Sequence, residues 1–320
     1  MPINRREFLI ISSAAVALVP LRGAAFAQTP VPAAAPRFET IRRNVGYFTA
    51  RGGTIGWLVH PDAVVVVDTQ YLDTAKICLE GLKQKSGRGI DLLFNTHHHG
   101  DHTSGNPIFR PDAKKIIAQT RVPELQKQAA QPAAGQPPSA VPPAANPAPL
   151  VVADTTFDKV WSQQVGDETV TATHYGPGHT GGDAVIRFHT ANVVHLGDLL
   201  FHGRHPRVDR AAGASIQNWM TTIETISRDM PADTIYIAGH SKTDLPVTVG
   251  RKELLRQRDY FDAVLSHVRR GIAEKQSKEQ ISALQALTGF EDYQSSPPVL
   301  TLAGVLGVAY DELSAVSHQL

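Results

Sequence analysis

Four side chains suited to binding divalent metals crowd into six residues: His97, His99, Asp101 and His102. Imidazole and carboxylate are the natural zinc ligands where thiolate is absent. His97 and His99 are two apart at an extended loop entrance and point the same way. Asp101 and His102 are adjacent and must diverge, so one loop can address two neighbouring metals. Gly100 and Gly105 let the backbone turn tightly there, and Asp101 is placed to hold a metal-bound water by hydrogen bond. A histidine tract can also be a loose metal store, but three later residues argue otherwise. His179 sits in the glycine-rich stretch 175–183, Asp198 ends the apolar run 193–198, and His240 ends the run 236–240. Each lies just past an apolar strand, where open α/β sheets gather ligands into one crevice.

The elements that must position these residues can be read from the hydrophobic pattern. Residues 54–60 and 63–68 read as strands joined by the turn pair Pro61-Asp62. The valine run 64–67 is continuous, so that strand is expected to be covered on both faces. A helix is expected over 74–85, a strand over 91–95 ending at the histidine cluster, a strand over 114–118 and a helix over 122–129. Strands follow at 169–174, 184–189 and 192–196, then a helix over 215–228 with Ser215 as its N-cap. A strand at 234–238 precedes helical patterns at 248–270, 278–287 and 299–313. The order predicts sheets covered by outer helices, an α/β or α+β layered fold.

The chain has 320 residues, 42% of them hydrophobic, with 19% charged and a net charge of +1. There is apolar material for a large core and no broad basic field for nucleic acid. The single cysteine, Cys78, rules out an intramolecular disulfide and a cysteine zinc knuckle, and reads as an apolar filler on a helix. His98, His174, His195 and His202 read as structural, and Thr180 and Asp183 as ordering their loop.

Arg5 and Arg6 precede an apolar run at 10–19, and Ala25 and Ala27 offer small residues to a signal peptidase. This pattern resembles a twin-arginine (Tat) signal peptide, cleaved after Ala27 and leaving no stable membrane anchor. The run is short of the roughly 20 apolar residues a span needs. The expected location is the bacterial periplasm. Tat export carries folded proteins, which suits a chain that loads its metal first and has no disulfides. The expected organisation is a signal peptide at 1–27, a flexible leader at 28–38, a catalytic domain at 39–245 with a Pro/Ala-rich loop at 131–149, and a C-terminal helical extension at 246–320. That loop is either a surface loop or a flap over the site. The extension offers either a substrate wall or a dimer contact.

The ordered set Asp68, His97-x-His99-x-Asp101-His102, Gly178-His179, Asp198 and Gly239-His240 resembles the metallo-β-lactamase fold superfamily, over residues 53–241. The resemblance implies a four-layer αβ/βα sandwich and a cofactor of two Zn²⁺ per chain. The first metal would be held by His97, His99 and His179, the second by Asp101, His102 and His240, and Asp198 would bridge them. Asp68 would support the ligand loop from behind. The implied function is a dinuclear zinc hydrolase that uses a metal-bridging hydroxide, oriented by Asp101, to cleave a carbonyl C–O, C–S or C–N bond of a small-molecule substrate.

Within that superfamily, segments 176–180 and 193–199 are similar to the β-lactamase subclass with a cysteine ligand. Here that position is Asp198, and the lysine that holds the drug carboxylate is replaced by Phe201, with Arg204 or Arg207 as substitute cations. An aspartate bridge is typical of the thioesterase (glyoxalase II), lactonase and general hydrolase branches. His99 stands where flavodiiron proteins have glutamate, and seven ligands exceed those of the one-iron persulfide dioxygenases. The spacing from Asp198 to His240 leaves no room for a nuclease domain. The alternatives are a β-lactamase proper and a non-catalytic metal-binding accessory protein of a periplasmic redox system.

Overall fold

The computed structural model describes residues 35–131, 149–296, 298 and 300–317. The signal peptide at 1–27, most of the leader and nearly all of the loop at 131–149 lie outside them. Four antiparallel strands come first: β1 (Arg37–Arg42), β2 (Val45–Thr49), β3 (Ile55–His60) and β4 (Ala63–Val67). The expected leader therefore ends two residues early. Arg37 and Phe38 pair with β2, and Phe38 packs on Phe48 with ring centroids 4.7 Å apart.

Next come α1 (Leu72–Lys85), β5 (Ile90–Asn95), the single turns α2 (Gly100–Thr103) and α3 (Asn106–Phe109), β6 (Ala113–Gln119), α4 (Val122–Ala129) and β7 (Thr155–Phe157). Strands β1 to β7 form one sheet in sequence order, parallel from β4 onward. The next elements are β8 (Val160–Val165), β9 (Glu168–Thr173), β10 (Val185–Phe188), β11 (Val193–His195), a 3₁₀ turn (Gly197–Leu199) and β12 (Phe201–His202). They are followed by α5 (Ile216–Asp229), β13 (Ile235–Ile237), β14 (His240–Ser241), β15 (Thr248–Val249), α6 (Arg251–Ala273), α7 (Lys278–Ser282) and α8 (Leu302–Ser317). The second sheet runs β15-β13-β11-β10-β9-β8, and β12 pairs with β14 in a separate ribbon.

Alternation along the valine strand builds the layers. Val65 and Val67 pack with Leu92, Phe94 and Ile117 against Ile186, Phe188 and Val193 of the second sheet. Val64 and Val66 face the other way, onto Ala75, Cys78 and Leu82 of α1. Both faces are covered, as the unbroken valine run requires. Cys78 is fully buried, and burial pushes its thiol well above the usual range, as suits a filler. The far face of the second sheet carries Trp219 and Ile223 of α5, Phe261 and Leu265 of α6, and Leu306 of α8. The result is the expected four-layer αβ/βα sandwich.

The C-terminal segment departs from the expected pattern. Thr248 and Val249 pair with β13 rather than opening a helix, so α6 starts at Arg251. Helix α7 stops at Ser282, and Leu287 is buried in the core. The described residues of 246–320, read as an extension, thus complete the second sheet and its outer layer. Ser215 does cap α5, accepting from Asn218 N at 3.2 Å, and Glu312 of α8 accepts from Ile216 N at 2.9 Å. Among the described residues no helix is long and apolar enough to cross a membrane.

Candidate metal centre

Strand β5 ends at Asn95, and the chain turns through Thr96 into His97, His98 and His99, the last preceding α2. Asp68, just past the parallel neighbour β4, anchors this turn. It is fully buried and accepts from Thr96 N, Thr96 Oγ1 and His102 Nδ1, each at 2.8 Å. It reaches them from a left-handed backbone, φ 66°, which is uncommon away from glycine and is tolerated where surroundings over-determine it. Gly105 is needed for close approach, not for a special φ: a Cβ there would strike Thr69 O. Gly197 is needed for both, with φ 51° and Thr96 standing where a Cβ would go.

The seven residues expected as ligands come together in two adjoining groups. In the first, His99 Nδ1 lies 3.1 Å from His97 Nε2 and 2.9 Å from His179 Nε2, and Asp198 Oδ2 lies 3.5 Å from His179 Nε2. In the second, Asp101 Oδ2 is 3.0 Å from His240 Nε2, which is 3.4 Å from His102 Nε2. Asp198 faces both, with Oδ1 3.0 Å from His102 Nε2 and Oδ2 3.4 Å from His240 Nε2.

The outer ring nitrogens decide what the inner ones are. Thr96 Oγ1 donates to Asp68, so it accepts from His97 Nδ1 at 3.0 Å. His179 Nδ1 donates to Arg207 O at 2.8 Å, and His99 Nε2 donates to Asp209 Oδ2 at 2.7 Å. Each ring has thereby committed its proton outward, and these partners assign the tautomers. The His99 lone pair then faces those of His97 and His179 at about 3 Å each, which is repulsive between themselves and suited to a shared cation. Asp198 Oδ1 is buried and has no hydrogen-bond partner despite its contact with His102, again the situation of an atom aimed at a cation. The residues fit a metal pair.

The electrostatics of the two groups differ. Burial holds His97 well below its ordinary pKa and His179 down to about 3, so both rings are neutral at neutral pH. At His240 burial opposes the charge, but Asp198 and Asp101 outweigh it and push the imidazole up to about 9. His102 is raised for the same reason. Burial also works against charge on Asp198 and Asp101, yet the facing histidines hold both carboxyls below the ordinary range. The second group is thus an anionic trap for positive charge.

Of the four histidines read as structural, three bond backbone carbonyls, and His98 clusters with His99 and Asp209 closely enough to hold a cation. His174 Nδ1 bonds Asp183 O, His195 Nε2 bonds Thr54 O, and His202 Nδ1 bonds Pro246 O. His98 packs on His99, its Nε2 3.9 Å from Asp209. Asp183 ties its loop by accepting from Gly178 N, Thr180 N and Thr180 Oγ1. The sequence reading missed Asp209 as the partner of His99; no spacing links it to the ligands, since it returns from thirty residues beyond His179. A cavity of about 560 Å³ opens over both groups, walled by Asp101, Asp198 and His240 on one side and by Arg51, Tyr71, Phe201, Arg204, Arg207 and Leu300 on the others.

Residues 48–240 match the family model described as the metallo-beta-lactamase superfamily. The hydroxyacylglutathione hydrolase of Brucella anthropi is 26% identical over 224 residues, covering 66% of this chain and 68% of that protein. The type 2 metallo-β-lactamase of Elizabethkingia meningoseptica is 21% identical over 185 residues, covering 58% and 67%. Among solved structures, the inverting sec-alkylsulfatase Pisa1 from Pseudomonas sp. superposes with a TM-score of 0.64 at 16% identity, over 86% of this chain and 50% of that one.

Proposed function

The chain belongs to the metallo-β-lactamase superfamily and is a metal-dependent hydrolase, and from that premise we propose that it is an exported dinuclear zinc hydrolase of ester, lactone or thioester substrates. The observation that carries the reading is the convergence of His97, His99 and His179 on one point and of Asp101, His102 and His240 on another, with Asp198 facing both. These residues would hold the two ions in that division. Bound zinc supplies Lewis acidity toward a carbonyl and lowers the pKa of water toward about 7.

The chain's own groups supply the rest. Asp101 is ionised, a quarter exposed and faces the cavity, so its carboxylate accepts a hydrogen bond from an attacking water and can carry a proton to the leaving group. Phe201 and Leu300 add apolar side chains to a cavity lining that is otherwise mostly polar. Arg204 and Arg207 offer cations to an acidic group elsewhere on the substrate.

The position where the cysteine-ligand β-lactamases carry a lysine is Phe201. It is buried and stacked on His240 at 5.4 Å, and it offers no charge to a drug carboxylate. That favours the hydrolase chemistry named for the hydroxyacylglutathione hydrolase relative over that of a β-lactamase. Export rests on the paired arginines and apolar run of residues 1–27.

The test is metal analysis of purified protein beside a panel of thioesters, lactones, aryl esters, β-lactams and secondary alkyl sulfates. Two zinc ions with thioester, lactone or ester turnover, abolished by chelation and restored by zinc, is the expected result. Two zincs without turnover would replace this reading with the accessory role, and fastest turnover of a β-lactam with the lactamase role. Recovery of a periplasmic chain beginning at Gln28 tests the export.

A further inference from the structure

Gln257 lies on α6, outside the residues matched by the family model, and is 1% exposed. Its side chain reaches the segment that follows Asp198. Gln257 Oε1 accepts from Phe201 N at 2.6 Å, and Nε2 donates to Leu199 O at 2.6 Å. A primary amide presents one donor and one acceptor at the spacing of a backbone peptide, so it completes this segment as a neighbouring strand would. Leu199 O also accepts from Trp219 Nε1 at 2.9 Å. Phe201 N has Gln257 as its partner, and losing it would leave a buried N–H unsatisfied.

What this segment holds is the second metal group. Asp198 is the residue before Leu199, within the same 3₁₀ turn. Phe201 pairs with His240 through β12 and β14, and its ring stacks on the His240 imidazole with an interplanar angle of 20°. One amide thus fixes both the turn that aims Asp198 and the aromatic face that orients His240. The first group depends on this segment less: it shares Asp198, but His97, His99 and His179 are oriented by Thr96, Asp209 and Arg207 O.

We propose that Gln257 is a positioning residue for the second metal, so that the C-terminal helices set the affinity of Asp101, His102, Asp198 and His240 for it. The inference rests on the dinuclear reading above. Partners of this kind typically change metal affinity by about 10–100-fold.

Zinc is titrated into the metal-stripped full chain against a chromophoric chelator, in wild type, Q257L and Q257E, with His240→Ala marking which affinity belongs to the second group. Thermal melts of the metal-free proteins run alongside. In Q257L the second affinity is expected to fall at least about tenfold and the first, which shares Asp198, to fall less. Q257E keeps an acceptor for Phe201 N and is expected to fall less; it carries the test if Q257L does not fold. A second affinity indifferent to both substitutions overturns this inference alone, as does an equal loss at both groups with a lowered melting temperature. A wild-type chain that binds no second zinc overturns the dinuclear reading and this inference with it.

Discussion

His99 donates from Nε2 to Asp209 Oδ2 across 2.7 Å, and that single bond turns His99 Nδ1 toward His97 and His179. Asp209 is itself held by Arg207 at 3.1 Å and by Ala212 N at 3.2 Å. Burial opposes its charge, but the bond from His99, then Arg207 and Ala212 N, holds its carboxyl below the ordinary range. The imidazole that begins the first metal group is thus aimed by a carboxylate from a distant loop.

Removing that aim weakens the first group. Asp209→Ala is expected to lower its zinc affinity by about 10–100-fold, and D209N by less, because an amide oxygen still accepts from His99. Chelator competition measures both. Equal affinity in wild type and D209A would show that Asp209 does not orient His99.

Asp68 carries a structural load as well. Its carboxylate satisfies a buried backbone N–H, a buried hydroxyl and His102 Nδ1 at once. Asp68→Ala strands all three and is expected to destabilise the fold by roughly 3–5 kcal/mol and to lose the second metal. Urea denaturation of the metal-free protein reads the first effect. A loss below about 1 kcal/mol would place Asp68 among ordinary single hydrogen bonds.

The two groups should respond differently to pH. His97 and His179 are neutral above the acid range, so neither of them releases a proton when zinc binds between about pH 5 and 8. His240, raised from 6.5 to about 9, must lose a proton to bind, so affinity of the second group rises by at least about tenfold per pH unit up to pH 9. In the metal-free chain the raised pKa of His240 gives stability that is fully present below pH 6.5 and lost as pH rises through about 9. The depressed Asp198 and Asp101 give stability that is present above pH 3.8 and lost on acidification. Zinc titrations and melts at stepped pH check both; parallel profiles for the two groups would contradict the assignment.

Asp101→Asn tests the proton carrier. With zinc saturating, kcat is expected to fall by about 10²–10⁴-fold with a smaller change in KM. A kcat within about threefold of wild type at full metal occupancy would remove Asp101 from the chemistry.

Much of this protein was legible in its residues alone. The valine run at 64–67 announced a strand buried on both faces, and the strand ends at His97, Asp198 and His240 announced a shared crevice. Both signals are local: an unbroken apolar run, a glycine or a histidine at a fixed offset. What only the folded chain decided are the contacts between segments far apart in sequence. Asp209 reaching His99, Glu312 capping α5 and Gln257 bonding the turn after Asp198 each join residues separated by tens of positions. No spacing rule encodes such pairs, because a lone carboxylate or amide looks the same whether it meets water or a buried N–H. For the same reason residues 246–320 read as an appendage. Their apolar pattern marks helices, but only packing on the second sheet shows that these helices brace the opening cluster's partners, Asp198 and His240.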